Sequence, residues 1–192
     1  QRRARRSRFG ELLQGDGSPH AWFEMRGEKC TLLQFVDDAT GRTTVAKFTS
    51  TETTDGYLSL LEEHLHKYGR PLAFYVDKHS IFRVNHEELQ KGIGITHFGR
   101  VVKALDIELI CAHSPQAKGR VERKNGVLQD RLIKEMRLRG ISNMEDANTF
   151  LPEYLESINN KFGKAPASAE DAHRPLRAQD DLKRIFARTE TR

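Results

Sequence analysis

The most informative part of the chain is His113–Leu138, which reads HSPQAKGRVERKNGVLQDRLIKEMRL. Pro115 blocks helical hydrogen bonding and Gly119 permits unusual backbone angles, so the segment is expected to open as a loop. From Val121 onward, apolar residues recur at about the helical period and charged residues lie between them. The pattern predicts an amphipathic helix that begins near Gly119 and carries Glu122 close to its start.

The predicted helix is strongly basic, whereas most of the chain is electrically balanced. The 192 residues include 32 Lys or Arg and 27 Asp or Glu, which gives a net charge of +5. Five of the arginines lie in the first ten positions, so the rest of the chain is neutral overall. A basic helix on a neutral body indicates a polyanionic partner. The candidate contacts are Lys118, Arg120, Arg123, Lys124, Arg131 and Lys134.

Turn residues divide the remainder of the chain into short strands and helices. Extended segments are predicted at 12–16, 21–25, 29–37, 42–49, 72–77 and 107–111, and the first two form one long strand that is interrupted near residues 15–19. Helices are predicted at 53–68, 96–105, 146–161 and 181–187, in addition to the basic one. The order predicts an α/β fold with one mixed five-stranded sheet, built from a three-strand antiparallel meander and two further strands, and flanked by helices.

The length suits one domain with short extensions. Residues 1–9 are predicted to be a basic linker or arm, residues 10–162 the main folded domain, and residues 163–192 a tail with a short helix. The first residue is Gln, which suggests a piece of a longer protein. Cys30 and Cys111 lack the spacing of a zinc site or a disulfide framework. No apolar run approaches the length of a membrane span, so a cytoplasmic protein without a membrane partner is expected.

Two acidic residues upstream stand where strands often carry functional groups. Asp16 lies in the first predicted strand, and Asp77 ends the apolar strand LAFYV. If these strands are neighbours, the two carboxylates come together, and Glu122 can approach from the helix that crosses the sheet. Three clustered carboxylates repel one another unless a cation binds among them, and hard oxygen ligands favour Mg²⁺ or Mn²⁺. The residues therefore predict a two-ion phosphoryl-transfer site.

Four pieces of the sequence resemble the catalytic cores of bacterial DDE transposases and retroviral integrases. They are GELLQGDGSPHAWF around Asp16, QFVDDATGRTTVAKF, LAFYVDKHSIF around Asp77, and IELICAHSPQAKGRVERKNGVLQ around Glu122. The resemblance covers about Gly10 to Ile133. It implies an RNase H-like fold, an acid triad at these three positions, two Mg²⁺ ions, strand cleavage by water and strand transfer by the freed 3′-OH. It also implies transposon ends and target DNA as partners, a homodimer or higher oligomer, and a place in the bacterial nucleoid.

The sequence departs from the retroviral pattern in two places. Asp77 and Glu122 are separated by 44 residues, which is more than retroviral members have. The positions four and seven after the glutamate are Gly126 and Gln129 instead of basic residues. Both departures favour a bacterial insertion-sequence transposase, an Mg-dependent polynucleotidyl transferase and DNA endonuclease.

Two other functions fit the same residues. An RNase H-like nuclease that hydrolyses DNA without strand transfer would use the same metal site. A catalytically inactive domain would bind DNA through the arm and the basic helix alone. Acids at all three family positions argue against the inactive domain.

Several polar residues are candidates for supporting the triad. His20 follows Asp16 by four positions, while His79 and His113 flank the other two acids. For each of these histidines the alternative is a purely structural role. Asn125 lies one turn after Glu122 on the same helical face and is a candidate for orienting a ligand.

Other polar residues are predicted to be structural. Asp37 and Asp38 precede Ala-Thr-Gly-Arg and are expected to close a hairpin turn, with one carboxylate held by backbone amides or by Arg42. His64 and His66 lie two positions apart on a predicted helix, so they cannot chelate one ion, and the surface is their expected place.

Overall fold

The computed structural model describes residues 3–77, 97–112 and 119–187. Its centre is a five-stranded sheet with the order β3-β2-β1-β4-β5. The strands are β1 (Leu12–His20), β2 (Cys30–Asp37), β3 (Thr43–Thr49), β4 (Ala73–Asp77) and β5 (Glu108–Ala112). The helices are α1 (Thr54–Tyr68), α2 (His97–Ala104), α3 (Gly119–Leu138), α4 (Met144–Phe162) and α5 (Leu182–Phe186).

The sheet is mixed. β1 pairs with β2, and β2 with β3, in antiparallel ladders, whereas β1 pairs with β4, and β4 with β5, in parallel ladders. Parallel neighbours need a crossover connection, and α1 carries the chain from β3 at one edge across to β4. The predicted fold class is confirmed. None of the described helices is long and apolar enough to cross a membrane.

Helices cover both faces of the sheet, and each face has its own apolar cluster. Leu33, Tyr57 and Phe74 belong to the cluster under α1 and α2. Leu32 and Leu132 belong to the cluster under α3 and α4. The neighbouring residues Leu32 and Leu33 of β2 therefore serve opposite faces, as the alternation of side chains along a strand requires.

β1 runs without a break, so the predicted interruption of the first strand is wrong. Its residues pair with β2 from Leu13 to His20. Gly15 does not mark a turn; a Cβ there would lie 2.7 Å from the Phe74 ring, so close packing requires the glycine. Pro19 is tolerated because the ladder between β1 and β4 ends at Gln14.

The strand predicted at residues 21–25 is also wrong. This segment is a turn between β1 and β2, in which the Glu24 amide donates to the Ala21 carbonyl at 2.9 Å. Trp22 and Phe23 are buried in the cluster under α3 and α4. Their apolar character reflects the packing of a turn against the core, which sequence periodicity does not distinguish from a short strand.

α4 begins two residues earlier than predicted. Asn143 caps it, because its side-chain oxygen accepts from the Asp146 amide at 2.8 Å. Pro152 consequently lies in the third turn, inside the helix. Its side chain is exposed on the outer side of the helix.

Two asparagines of α4 cover the open edge of β3. Asn148 accepts from the Phe48 amide at 2.7 Å and donates to the Phe48 carbonyl at 3.0 Å. Asn159 accepts from the Thr43 amide at 3.0 Å and donates to the Thr43 carbonyl at 2.8 Å. The two side chains bind the strand as a neighbouring strand would, and so they remove part of an edge that invites pairing with other chains.

The N-terminal arm and the C-terminal tail both lie on the core. We call residues 163–187 the C-terminal strap. Its Ala172 amide donates to the Phe9 carbonyl at 2.7 Å, which joins the strap to the arm. Arg174 and Arg70 exchange backbone hydrogen bonds of 2.9 and 2.7 Å. The extensions thus add contacts to the body on which they lie.

His64 is buried, so its predicted surface position is wrong, whereas His66 is exposed as expected. Nδ1 of His64 lies 2.9 Å from Thr44 Oγ1, and Nε2 of His64 lies 2.9 Å from Nε2 of His173 in the strap. Burial lowers the pKa of His64 to about 3, so the ring is neutral at physiological pH. The strap covers His64 on a side of α1 that the apolar pattern of the helix predicts to be exposed.

The edge contacts of α4 lead to a stability prediction. The variant Asn159→Ala removes both partners of the buried Thr43 backbone, and each unsatisfied group costs about 1–3 kcal/mol. We expect the free energy of unfolding, measured by urea denaturation, to fall by at least that amount. Asn160→Ala, which changes the exposed neighbour, is the control and should leave it unchanged. Equal stability of the two variants would contradict the edge-covering role.

Candidate active site

Asp16 and Asp77 hold matching positions on neighbouring parallel strands. The ladder between β1 and β4 pairs Gln14 with Tyr75. The ladder ends there, and the same register continued for two residues would set Asp16 beside Asp77, the last residue of β4. Neighbouring strands lie about 4.8 Å apart, which is the separation this register implies for the two backbones. The Asp77 side chain lies outside the described part of the structure.

A chain of hydrogen bonds fixes the Asp16 carboxylate. Nδ2 of Asn125 in α3 donates to Asp16 Oδ2 at 2.7 Å. The Asn125 oxygen accepts from Nε2 of Gln34, and Gln34 Oε1 accepts from Thr43 Oγ1 at 3.2 Å. We call these four side chains the amide relay. Because Gln34 occupies the Asn125 oxygen, the Asn125 NH₂ group is directed to Asp16.

A second contact shows that α3 runs alongside β1. Nε2 of Gln129 donates to Ser18 Oγ at 3.1 Å, one helical turn and two strand residues beyond the contact between Asn125 and Asp16. Four helical residues rise about 6 Å and two strand residues rise about 6.6 Å. Successive turns of α3 therefore face every second residue of β1. Glu122, three residues before Asn125, is next on this face of α3.

Glu122 lies in the first turn of α3 with an exposed side chain. The positive end of the helix dipole favours a carboxylate there. In the ranges 3–77, 97–112 and 119–187, Glu122 has no hydrogen-bond or ion-pair partner. Within the same ranges no three His, Cys, Asp or Glu side chains gather closely enough to hold a metal ion. The structure therefore brings Asp16 and Asn125 into contact and places Glu122 on the same helix face.

The cations predicted to contact DNA fall into different environments. Arg123, Arg131 and Lys134 are exposed on α3. The Arg131 guanidinium lies 4.7 Å from the centre of the Phe162 ring, and Lys134 pairs with Asp130 at 2.5 Å. Lys118 and the Arg120 side chain lie outside the described residues.

Lys124 differs from the other cations because it is only 8% exposed. Burial lowers the pKa of its ammonium group to about 8, since desolvation disfavours the charged form. The structure thus sets Lys124 apart from the exposed Arg123 beside it.

The histidines predicted to support the site are not in contact with Asp16 where they are described. His20 is exposed at the end of β1, and its ring packs edge-on against Trp22 with 5.5 Å between centroids. His79 and His113 lie outside the described residues. Asn125 is the member of that group which the structure connects to the site.

Asp37 and Asp38 close the hairpin between β2 and β3, as predicted. Asp37 Oδ2 accepts from the Thr40 amide at 2.8 Å, and Oδ1 accepts from the Gly10 amide at 3.0 Å. Burial raises the pKa of the Asp37 carboxyl despite these bonds. Asp38 is bound by Arg3 at 2.6 Å, not by Arg42.

Gln34 is the member of the amide relay that the sequence analysis missed. It is fully buried, and it stands directly opposite Asp16 in the ladder between β1 and β2. A signal was present in the sequence: the strand CTLLQFVD has one amide among apolar residues. A buried polar side chain usually has a hydrogen-bond partner, so such a residue marks a position where another element supplies one.

The chain is similar to transposases along its whole length. It is 50% identical over 193 aligned positions to "Putative transposase y4bF" of Sinorhizobium fredii, and the alignment covers 100% of this chain and 42% of that protein. It is 40% identical over 164 positions to the transposase for insertion sequence IS1202 of Streptococcus pneumoniae, with 84% of this chain and 35% of that protein covered. The chain spans less than half the length of these relatives. No family model matches it.

Solved structures with a similar fold include retroviral integrases. The simian T-cell lymphotropic virus intasome in complex with PP2A regulatory subunit B56 gamma has a TM-score of 0.64 at 22% identity, covering 88% of this chain and 54% of that chain. The HTLV-2 integrase catalytic core domain in complex with magnesium has a TM-score of 0.56 at 20% identity, covering 80% and 90%. The fold is therefore RNase H-like.

The resemblance to the catalytic cores of DDE transposases and retroviral integrases is confirmed by both comparisons. The sequence relatives are transposases, and the structural neighbours are integrase cores. Within that superfamily, this chain is similar in sequence to the bacterial transposases.

The contact between Asn125 and Asp16 can be tested by replacing the Asn125 amide with a negatively charged carboxylate. The variant Asn125→Asp keeps an acceptor for Gln34 but turns a carboxylate toward Asp16. Two close carboxylates raise the pKa of the pair, so stability is lost as pH rises through that raised pKa and regained below it. Thermal unfolding should show a melting temperature several degrees below wild type at pH 7, and the gap should narrow toward pH 4.

Gln129→Glu is the matched control for this variant. It changes an amide to a carboxylate one turn further along α3, but the Ser18 hydroxyl can donate to either group. We expect only a small change in melting temperature with no such pH dependence. A similar loss at pH 7 in both variants would contradict a specific contact between Asn125 and Asp16.

Proposed function

We propose that this chain is the catalytic core of a transposase, which cleaves DNA strands at transposon ends and joins them to target DNA. The observation that carries the proposal is the placement of Asp16. Its carboxylate accepts a hydrogen bond of 2.7 Å from Asn125, on the helix of Glu122, and the β1–β4 register continued past its last pair would set its backbone beside Asp77. The three acids, from two strands and one helix, would then meet at one end of the contact between α3 and β1.

Asp16, Asp77 and Glu122 would hold two Mg²⁺ or Mn²⁺ ions. Carboxylate oxygens are the ligands these ions prefer, and three acids without a cation would repel one another. Such ions, about 3.5–4 Å apart, stabilise the attacking and leaving oxygens of an in-line displacement at phosphorus. The solved HTLV-2 integrase core is in complex with magnesium. The amide relay would keep the Asp16 carboxylate in one orientation before an ion binds, which lowers the cost of assembling the site.

The DNA would lie along the exposed side of α3. Arg123, Arg131 and Lys134 present charges there, and contacts with phosphates position a duplex without reading its sequence. The affinity of the core should therefore depend strongly on salt and weakly on sequence. A protein bound to chromosomal DNA would be found in the bacterial nucleoid.

A dimer or a larger assembly is part of the proposal. Transposition brings two DNA ends together, so two active sites must be held in one complex. The HTLV-2 integrase core has been solved in dimeric and trimeric forms. If this chain joins two DNA ends to a target, at least two copies of it must assemble in one complex.

The proposed chemistry is tested by nicking of supercoiled plasmid in the presence of Mn²⁺. The variants Asp16→Asn, Asp77→Asn and Glu122→Gln each remove one ligand charge. We expect each to reduce the nicking rate by a factor on the order of 100 or more, as loss of a group that stabilises transition-state charge does. The fold should be retained, as judged by circular dichroism.

Asp130→Asn is the matched control, because it neutralises an exposed acid of α3 that faces Lys134 instead of the site. It should nick at the wild-type rate. Wild-type nicking by any of the three triad variants would overturn the site assignment. Nicking without joined products, when a donor oligonucleotide with a free 3′-OH is supplied, would favour a nuclease over a transposase.

A further inference from the structure

A fourth carboxylate lies close to Asp16, on the other side of β1. Glu52 stands in the short connection between β3 and α1, one residue before Thr53. A Cβ on Gly17 would lie 2.9 Å from Glu52 Oε2 and 3.0 Å from the Tyr57 hydroxyl. Because Gly17 directly follows Asp16, backbone bond lengths place Glu52 Oε2 within about 8 Å of the Asp16 Cα atom.

The start of α1 is fixed to the sheet, and this fixes the segment that carries Glu52. Thr53 caps the helix, since its Oγ1 accepts from the Gly56 amide at 3.0 Å. Gly56 is buried, and a Cβ there would lie 2.6 Å from the Leu33 side chain. The first turn of α1 therefore packs directly on β2, and Glu52 is held between this turn and the end of β3.

Tyr57 orients the Glu52 carboxylate. The residue is only 1% exposed, and its hydroxyl donates to Glu52 Oε1 at 2.7 Å. Burial and the neighbouring Glu52 charge raise the pKa of the phenol, so it stays protonated and remains a donor. The Asp16 carboxylate raises this pKa further, which shows that Tyr57 lies near both acids.

The second oxygen of Glu52 remains accessible. Glu52 is half-buried, and its Oε2 has no hydrogen-bond or ion-pair partner in the part of the chain that the structure describes. The ladder between β1 and β4 ends at Gln14, so no described strand pairs with β1 on that side at Gly17. Glu52 therefore meets β1 at a level where its edge toward β4 is open.

We propose that Glu52 is a further catalytic residue, which accepts the proton of the attacking oxygen. The inference rests on the proposed function, in which the attacking group is water during strand cleavage and a DNA 3′-OH during strand transfer. The attacking oxygen forms a bond to phosphorus, the bond from phosphorus to the leaving oxygen breaks, and the proton passes to Glu52 Oε2. The leaving oxygen takes a proton from solvent water.

The placement favours a proton acceptor over a further ligand of the divalent ions. The glycines beside Asp16 face α1, whereas Asp16 itself accepts from Asn125 of α3. Glu52 and Asp16 thus approach β1 from opposite faces, and an ion held by the acid triad would lie on the α3 side. A carboxylate on the other side of the open strand edge needs to reach only the attacking oxygen.

Glu52→Gln separates this role from a structural one. The amide oxygen still accepts from Tyr57 but takes up no proton, so the melting temperature should stay close to that of the wild type. We expect Mn²⁺-dependent nicking of supercoiled plasmid to slow by a factor of about 100, as loss of a general base does. Glu63→Gln, which changes an exposed acid of α1, is the control and should nick at the wild-type rate. Wild-type nicking by Glu52→Gln would overturn the proposal.

The melting temperature with and without Mn²⁺ distinguishes a proton acceptor from an ion ligand. An ion that binds the folded state stabilises it, so Mn²⁺ should raise the melting temperature of the wild type. Glu52→Gln should keep this rise, and Asp16→Asn should lose it. Loss of the rise in Glu52→Gln would assign Glu52 to the ions and overturn its role as proton acceptor.

The pH dependence of nicking gives a second signature of proton transfer. Among the described residues, Tyr57 from α1 and Asp16 from β1 are the titratable groups near Glu52. The rate deficit of Glu52→Gln should narrow as the pH rises above neutral, because hydroxide can attack without giving up a proton. A deficit that stays constant with pH would contradict proton transfer to Glu52.

Tyr57→Phe tests whether the tyrosine acts through Glu52. The variant releases Glu52 Oε1 and should slow nicking about tenfold, the size expected for one hydrogen bond to a charged group. In the double variant with Glu52→Gln, the rate should be no lower than in Glu52→Gln alone, because the two residues act as one unit. Fully multiplicative losses would contradict a positioning role for Tyr57.

The nicking results keep this inference apart from the proposed function. If the triad variants are inactive and Glu52→Gln nicks as the wild type, the site assignment stands and the role of Glu52 fails alone. If the triad variants nick as the wild type, the proposed function fails and the role of Glu52 fails with it.

Discussion

One amide side chain joins the helix that carries Glu122 to the strand that carries Asp16. Both polar groups of the Asn125 amide are bonded within the protein. Its NH₂ group donates to Asp16, and its oxygen accepts from Gln34, whose own oxygen accepts from Thr43. The relay connects α3 to three adjacent strands. Buried polar chains of this kind are rigid when every member has a partner, so the direction of the Asp16 carboxylate is set by the fold before any ligand arrives.

The two glycines that flank Asp16 on β1 pack against the face of the sheet opposite α3. A Cβ on Gly15 would lie 2.7 Å from the Phe74 ring, and one on Gly17 would lie 2.9 Å from the Glu52 carboxylate. A side chain at Gly15 would have to displace the Phe74 ring, and one at Gly17 the end of the Glu52 side chain. The intervening residue, Asp16, is the one that meets α3. The sequence Gly-Asp-Gly thus reflects close packing on one side of the strand and a carboxylate bound by α3 on the other.

Much of this arrangement could be predicted from the sequence, and the failures have physical causes. The parallel pairing of β1 with β4, the strands that carry Asp16 and Asp77, follows from two strands with recognisable apolar patterns. The strand predicted around Trp22 and the surface position predicted for His64 were wrong, because each residue is buried by elements distant in sequence: α3 and α4 in one case and the C-terminal strap in the other. Gln34 was missed because periodicity reports which face is buried, whereas a buried amide depends on a partner from another element.

The central claim is that Asp16, Asp77 and Glu122 meet around divalent ions, with Asn125 holding the first of them. The most direct measurement is the anomalous scattering of manganese in crystals of this chain soaked with Mn²⁺. The account predicts density peaks within about 2–2.5 Å of oxygens from all three carboxylates, beside an intact bond between Asn125 and Asp16. Manganese bound elsewhere, with Glu122 remote from the two aspartates in the soaked crystal, would contradict it.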